Sequence, residues 1–272
     1  MGRGIRPIRR LGIAGLAMPA ALAMLAAGCQ IGASPGHVSL TVYAAASLRP
    51  AFQELVTSYV QSHPEVDVES DTDSSAALET RIEQGGPADL FLSADLTNPR
   101  KLVDAGFASG TVVAFAGNLL TVIVPASNPA GIAGPADLGR PGVKVIAAGD
   151  SVPITRYATQ LVANLAREPG YPSSFASDYA ANIVSREDNV AAVVTKIGLG
   201  EGDAAIVYVT DAKASTQVTP IAVPADANVP ATYGGVVVKA SRNQAAAEAF
   251  LSWIAGPDGQ SILGSFGFLP PS

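Results

Sequence analysis

From Val38 onward, short apolar runs alternate with segments whose apolar residues recur every three or four positions. Residues 38–44 (VSLTVYA) predict a buried strand. Leu48, Phe52, Leu55, Val56 and Tyr59 then form the stripe of a helix that Ser47 can cap. A short strand at 66–69 precedes a helix carrying Leu78 and Ile82, capped by Ser74 or Ser75 and stopped by Gly85-Gly86-Pro87. Residues 89–94 (DLFLSA) predict the next strand, followed by a helix near 98–104 and strands at 111–114 and 119–124. The second half repeats the rhythm with a strand at 143–147, a helix at 155–166, a strand at 183–185 and a helix at 187–197. Strands at 204–209 and 235–238 and a helix at about 243–255, stopped by Gly256-Pro257, complete it. Residues 126–142 and 213–232, rich in Pro, Gly and Ala, read as loops. Strands alternating with helices predict an α/β chain with parallel sheets and short connections, and no internal repeat is visible.

The N-terminus follows a different pattern. Arg3, Arg6, Arg9 and Arg10 precede the apolar run LGIAGLAMPAALAML and the ending Leu25-Ala26-Ala27-Gly28-Cys29. A basic region, an apolar region and small residues at a cleavage point make a secretory signal peptide over 1–28. The ending resembles the bacterial lipobox, in which Cys29 becomes the acylated first residue. A membrane-spanning anchor is the competing interpretation; Pro19 and the glycines within the run weigh against it. Cys29 is the only cysteine, which removes disulfides and thiolate metal sites from consideration. Residues 29–37 then serve as the lipidated cysteine and its tether.

Composition narrows the function. The chain has 272 residues, 48 % apolar, with a formal net charge of −6. Without residues 1–28 it holds 13 basic and 23 acidic side chains, a net of −10 that argues against nucleic acid as a partner. The only histidines are His37, in the tether, and His63, beside Pro64, so a Ser-His-Asp triad or a histidine-rich zinc site has no material. No phosphate-binding loop of the G-x-x-x-x-G-K-[ST] type is present. What recurs is a turn from strand to helix bearing small hydroxyl residues, at 44–47, 73–76 and 150–155, with Asp188-Asn189 at a fourth. The first N–H groups of a helix lack intrahelical partners and carry partial positive charge, so several such ends around one cavity would hold an anion without Lys or Arg. Taken singly, each serine is better explained as a helix cap.

The strings Tyr43-Ala44-Ala45-Ala46-Ser47-Leu48, Ser74-Ser75-x-x-Leu78 and Pro87-Ala88-Asp89-Leu90-Phe91-Leu92-Ser93-Ala94-Asp95 resemble the molybdate-binding proteins of bacterial ABC transporters. The similarity continues through Gly117-Asn118-Leu119-Leu120, Gly149-Asp150-x-Val152-Pro153, Arg156-Tyr157-Ala158, Glu187-Asp188 and Ile206-Val207-Tyr208-x-x-Asp211-Ala212. It ends near Tyr233 and Gly267-Phe268.

The resemblance implies a two-lobed α/β fold of the periplasmic-binding-protein type, each lobe a mixed sheet flanked by helices, with the ligand in the cleft between. Lobe one would be 38–118 plus 234–272, and lobe two 119–233. It also implies that Ser47, Ser75, Ile154, Asn189 and Tyr208 bind the oxyanion, through hydroxyls and backbone N–H groups, with Thr155 a further candidate. Molybdenum would be held only as its oxyanion by those residues, with no cofactor and no catalytic step. The implied partners are molybdate, tungstate and an ABC permease, for a monomeric lipoprotein on the outer face of the cell membrane. Binding of sulfate or another oxyanion is the first alternative and a lipid-anchored hydrolase the second. The chain departs from the family at Pro153-Ile154-Thr155, where Pro-Ala-Gly is usual, and at Asn189-Val190, where Val-Arg is usual. Asp71, Asp73 and Asp150 lie near the same turns and would weaken anion binding if they faced the cavity. Tyr43 with Tyr208 also admits a ferric-binding reading.

Overall fold

The apolar runs become the inner strands of three sheets in a computed structural model that describes residues 37–271. The leader, Cys29 and the tether up to residue 36 lie outside the described residues. Among the described residues no helix is long and apolar enough to cross a membrane.

The chain begins with β1 (Val38–Ala45), whose Leu40, Val42 and Ala44 are fully buried. A 3-10 turn at Ala46–Leu48 leads into α1 (Arg49–Ser62), which buries Ala51, Phe52, Leu55 and Tyr59 and carries Pro50 in its first turn, where a missing N–H costs nothing. The expectation that Ser47 caps this helix is corrected, because Leu48 occupies the cap position and no side chain caps α1. β2 (Val66–Asp73) outlasts its apolar part, since its backbone pairs with β1 as far as Ala45 opposite Asp73. Ser74 caps α2 (Ser75–Glu83), its Oγ accepting from the Ala77 N–H at 3.2 Å. Then come β3 (Leu90–Ser93), α3 (Thr97–Asp104) and β4 (Ala108–Asn118).

The second half contains β5 (Leu120–Pro125), β6 (Val145–Ala148), α4 (Pro153–Leu165), α5 (Phe175–Ala181), β7 (Ile183–Glu187) and α6 (Val190–Gly198). It ends with β8 (Ala205–Tyr208), α7 (Val209–Lys213) and β9 (Val218–Ile221). The chain returns through β10 (Ala231–Val238) and closes with α8 (Gln244–Ala255) and α9 (Pro257–Phe266). α5, α7, β9 and α9 were not legible from periodicity, and the stretches read as loops hold a 3-10 turn at Pro135–Gly139 and β9. Pro257 both ends α8 and opens α9, where its fixed φ suits a first turn.

The first sheet has the order β2-β1-β3-β10-β4; β2, β1 and β3 are parallel, and β10 runs against both neighbours. The other sheets are β8-β5-β9, antiparallel, and β6-β7, parallel, joined by one bridge between Val145 and Ala204. The parallel expectation thus holds only where a helix follows each strand. It fails where the chain crosses between the two groups of strands, because β5 and β10 enter from the other group without a βαβ crossover. Asn228 fastens this crossing: its side-chain amide bonds both the N–H and the C=O of Leu120, at 3.0 and 2.9 Å. The C-terminal segment docks beside it through paired backbone bonds between Gly117 and Leu269. A Cβ on Gly117 would stand 2.6 Å from the Pro270 carbonyl oxygen, so glycine is required there.

Candidate functional site

The carboxyl ends of the strands meet at one small cavity of about 10 Å³. From the first group of strands it receives Ser47, in the turn after β1, and Ser75, the first residue of α2. From the second it receives Ile154 near the start of α4, Asn189 and Val190 at the start of α6, and Tyr208 at the end of β8. Pro153 has no N–H, so Ile154 supplies the first donor of α4, and helix geometry leaves that donor without an intrahelical acceptor.

The hydroxyl groups differ in what they already hold. Ser75 Oγ accepts the Ala94 N–H at 3.0 Å, which leaves its own proton unspent. Ser47 Oγ lies 2.9 Å from the Tyr233 hydroxyl. The Tyr208 hydroxyl, among the described residues, is the one buried side-chain polar atom with no hydrogen-bond partner. Its ring is held edge-on by Tyr157 at 6.3 Å and Tyr233 at 5.7 Å. Burial raises the Tyr208 phenol well above its ordinary range, so it stays protonated and can only donate to an anion. An orphaned buried hydroxyl calls for a ligand or a functional reason.

The Asp211 carboxylate accepts the Tyr208 N–H at 3.2 Å, and desolvation pushes it up to about 7. The other acids near the turns face elsewhere. Asp71 pairs with Arg81, Asp73 accepts from Ser74 N–H at 2.7 Å, and the exposed Asp150 pairs with Arg186 at 3.0 Å.

Five of the residues named from sequence, Ser47, Ser75, Ile154, Asn189 and Tyr208, therefore line one cavity. Thr155 does not, and its candidacy is corrected: its hydroxyl donates to the Ala148 and Gly149 carbonyls at 3.0 and 2.8 Å, because the i−6 and i−7 oxygens of the preceding turn lie within its reach. The Asn189 side chain is committed too, its Oδ1 capping α6 through Ala192 N–H and its Nδ2 donating to Asp73 Oδ1 at 3.1 Å. Arg156 turns outward to Asp95, at 3.2 Å, and to Thr97. Tyr43 sits in a separate core cluster under Arg81, remote from Tyr208, which removes the paired-phenolate reading. Asn118 and Tyr233 stand among the strings that carry the resemblance, but sequence reasoning gave neither a place in the site, which they reach only through Ser47.

A far larger depression, about 610 Å³, opens at the opposite ends of the same strands around Asp89 and Arg242. Its half-buried carboxylate is already spent: Asp89 accepts from Thr41 N–H at 2.8 Å and Ser241 Oγ at 2.5 Å. Unspent donors, rather than size, single out the small cavity.

The family profile described as "Bacterial extracellular solute-binding protein" matches residues 40–269. The protein named molybdate-binding protein ModA of Mycobacterium tuberculosis is 34 % identical over 241 residues, 88 % of each chain. A Bacillus subtilis protein named as a putative ABC transporter substrate-binding lipoprotein is 28 % identical over 90 % of this chain and 93 % of its own. Among solved structures, the substrate-binding domain of a putative molybdenum ABC transporter from Clostridium difficile superposes with a TM-score of 0.64 at 27 % identity, covering 86 % of this chain and all of that one. The Azotobacter vinelandii periplasmic molybdate-binding protein shares the fold, with a TM-score of 0.71 at 23 % identity over 86 % of this chain and all of its own. The match across nearly all the described strands, with the same two-lobed architecture, makes this chain a member of the bacterial extracellular solute-binding protein family and a homologue of the ModA proteins.

Proposed function

We propose that this chain captures molybdate, and tungstate with it, between lobes formed by 38–118 plus 234–272 and by 119–233, and delivers it to an ABC permease. In this reading Ser47, Ser75, Ile154, Asn189 and Tyr208 hold the anion, and acylated Cys29 anchors the protein to the outer face of the membrane. The observation that carries the reading is the buried, unpartnered Tyr208 hydroxyl in a cavity whose other hydroxyls also have protons to give. Such a cavity suits a small anion made only of acceptor oxygens. The names of the homologues support molybdate among such anions. Calorimetric titration of the purified protein with molybdate, tungstate and sulfate tests it. The expected outcome is one-to-one binding of the first two, tighter than sulfate; no heat or displacement with any of the three would sink the proposal.

A further inference from the structure

We infer that Asn118 and Tyr233 form a directional hydrogen-bond relay that turns the Ser47 hydroxyl into a donor toward the cavity, and thereby biases the site towards oxyanions that carry no proton. The inference rests on the function proposed above and names two positioning residues for it.

The direction follows from counting protons. The Leu119 N–H donates to Asn118 Oδ1 at 3.0 Å, which marks that end of the amide as the acceptor and the other as the donor. Asn118 Nδ2 then gives one proton to Thr210 Oγ1 at 2.8 Å and faces the Tyr233 hydroxyl oxygen at 3.4 Å with the other. Tyr233 has a single O–H, and its oxygen already receives from Asn118, so its proton goes to Ser47 Oγ, 2.9 Å away. The reverse order would have Ser47 donate to Tyr233 and leave the Tyr233 proton without an acceptor in a fully buried place. With one lone pair receiving from Tyr233, Ser47 has its own O–H left to give to the cavity it lines, and one acceptor site fewer to offer there. Burial keeps Tyr233 protonated across ordinary pH, so the direction does not lapse.

The relay matters because the other two hydroxyls are constrained the same way. Ser75 Oγ is occupied by the Ala94 N–H, and Tyr208 stays a phenol. A monoprotonated oxyanion such as hydrogen phosphate needs one acceptor, and an unmade bond of that kind in a closed site costs on the order of 5- to 150-fold in affinity. Cutting the relay would free a second lone pair on Ser47 Oγ and release its O–H from a fixed direction, so Ser47 could accept such a proton at less cost.

A double-mutant cycle on the whole protein tests this, with molybdate affinity measured calorimetrically and sulfate and phosphate affinities by displacement of molybdate. Tyr233→Phe keeps the ring and is expected to weaken molybdate binding by about 3- to 10-fold. In the Ser47→Ala background it should have no further effect, because Tyr233 acts through Ser47. Tyr233→Phe should also narrow the preference for sulfate over phosphate, whereas a purely structural defect weakens both alike. Asn118→Ala, one link earlier, must give the same pattern, and it stands in if Tyr233→Phe melts early. Losses that multiply in the double variant, or wild-type affinity in Tyr233→Phe, would overturn the relay. Failure of the unmodified protein to bind any of the anions would instead overturn the functional proposal beneath it.

Discussion

Tyr208→Phe separates the cost of the empty site from the gain on binding, because the two have opposite signs. The hydroxyl is buried and makes no bond within the protein, so removing it takes away a desolvated group and loses no internal contact. An unsatisfied buried hydroxyl costs about 1–3 kcal/mol, an upper limit here since an open cleft would let water reach it. The ligand-free variant should therefore melt at the same temperature as the wild type or higher, at about 2–4 °C per kcal/mol for a chain of this size. In the complex the same hydroxyl donates to a charged oxygen, a bond worth about 1.5–3 kcal/mol, so affinity should fall by roughly 10- to 150-fold. The ring keeps its edge-on contacts with Tyr157 and Tyr233, so packing should change little. Differential scanning calorimetry without ligand and isothermal titration with molybdate read the two effects separately. Unchanged affinity would remove Tyr208 from the site, and a lower melting temperature without ligand would show that the hydroxyl has a partner.

Ser75→Ala should weaken molybdate binding within the same range, whereas Thr155→Ala and Arg156→Ala should change it by only a few-fold; the titration used for Tyr208 ranks the three, and a loss for Arg156→Ala above that for Ser75→Ala would point to a cationic mechanism. Affinity should also decline as pH rises through about 7. Asp211 has a folded-state value raised above that of a free carboxyl, so it is neutral below that pH and anionic above it, close to the Tyr208 backbone. A bound dianion favours the neutral form, so binding should take up protons near pH 7, and Asp211→Asn should flatten the profile. The same raised value means that Asp211 favours the folded state most at acid pH and loses that contribution as pH climbs from about 4 towards about 7. Asp211 is only partly buried, so the affinity change should be a few-fold, and a profile flat from pH 5 to 9 in the wild type would rule Asp211 out.

Much of this site was legible in the residues because its parts are local. A serine or asparagine at a strand-to-helix turn is visible from spacing, and resemblance supplied which turns converge. The order of β1, α1, β2, α2 and β3 was readable for the same reason, since each strand hands directly to its helix. Four things were not. The lengths of β2 and β10 depend on backbone pairing with a neighbour, which carries no periodic signal in polar residues such as Glu69 to Asp73. The antiparallel placement of β10 depends on a crossing far from it in sequence, fastened by Asn228 on Leu120. The engagement of Thr155 with two carbonyls depends on the path of the turn before it, so a hydroxyl that seemed free to bind is spent within the protein. Tyr233 is the sharpest case: it lies 186 residues from Ser47, and only the fold brings their hydroxyls together.

Under the proposed function, the charges around the cavity would make closure and affinity one event. The nearby cations are each committed outward, Arg81 to Asp71 and Asp73, Arg156 to Asp95, and Arg186 to Asp150. None of them lines the cavity, and the body of the protein is acidic. A bound dianion would therefore be neutralised by O–H and N–H dipoles alone. Such dipoles hold an anion weakly in water and strongly only where solvent is excluded. Ser47 and Ser75 lie on one group of strands and Ile154, Asn189 and Tyr208 on the other, so neither half encloses the anion by itself. Arg156 with Asp95 and Asn189 with Asp73 link the two groups of strands, and if the halves part as the proposed function requires, these contacts would be lost. Opening would then remove the dry surroundings and the cross-contacts together, and would let a tightly held ion leave without any change in its own chemistry.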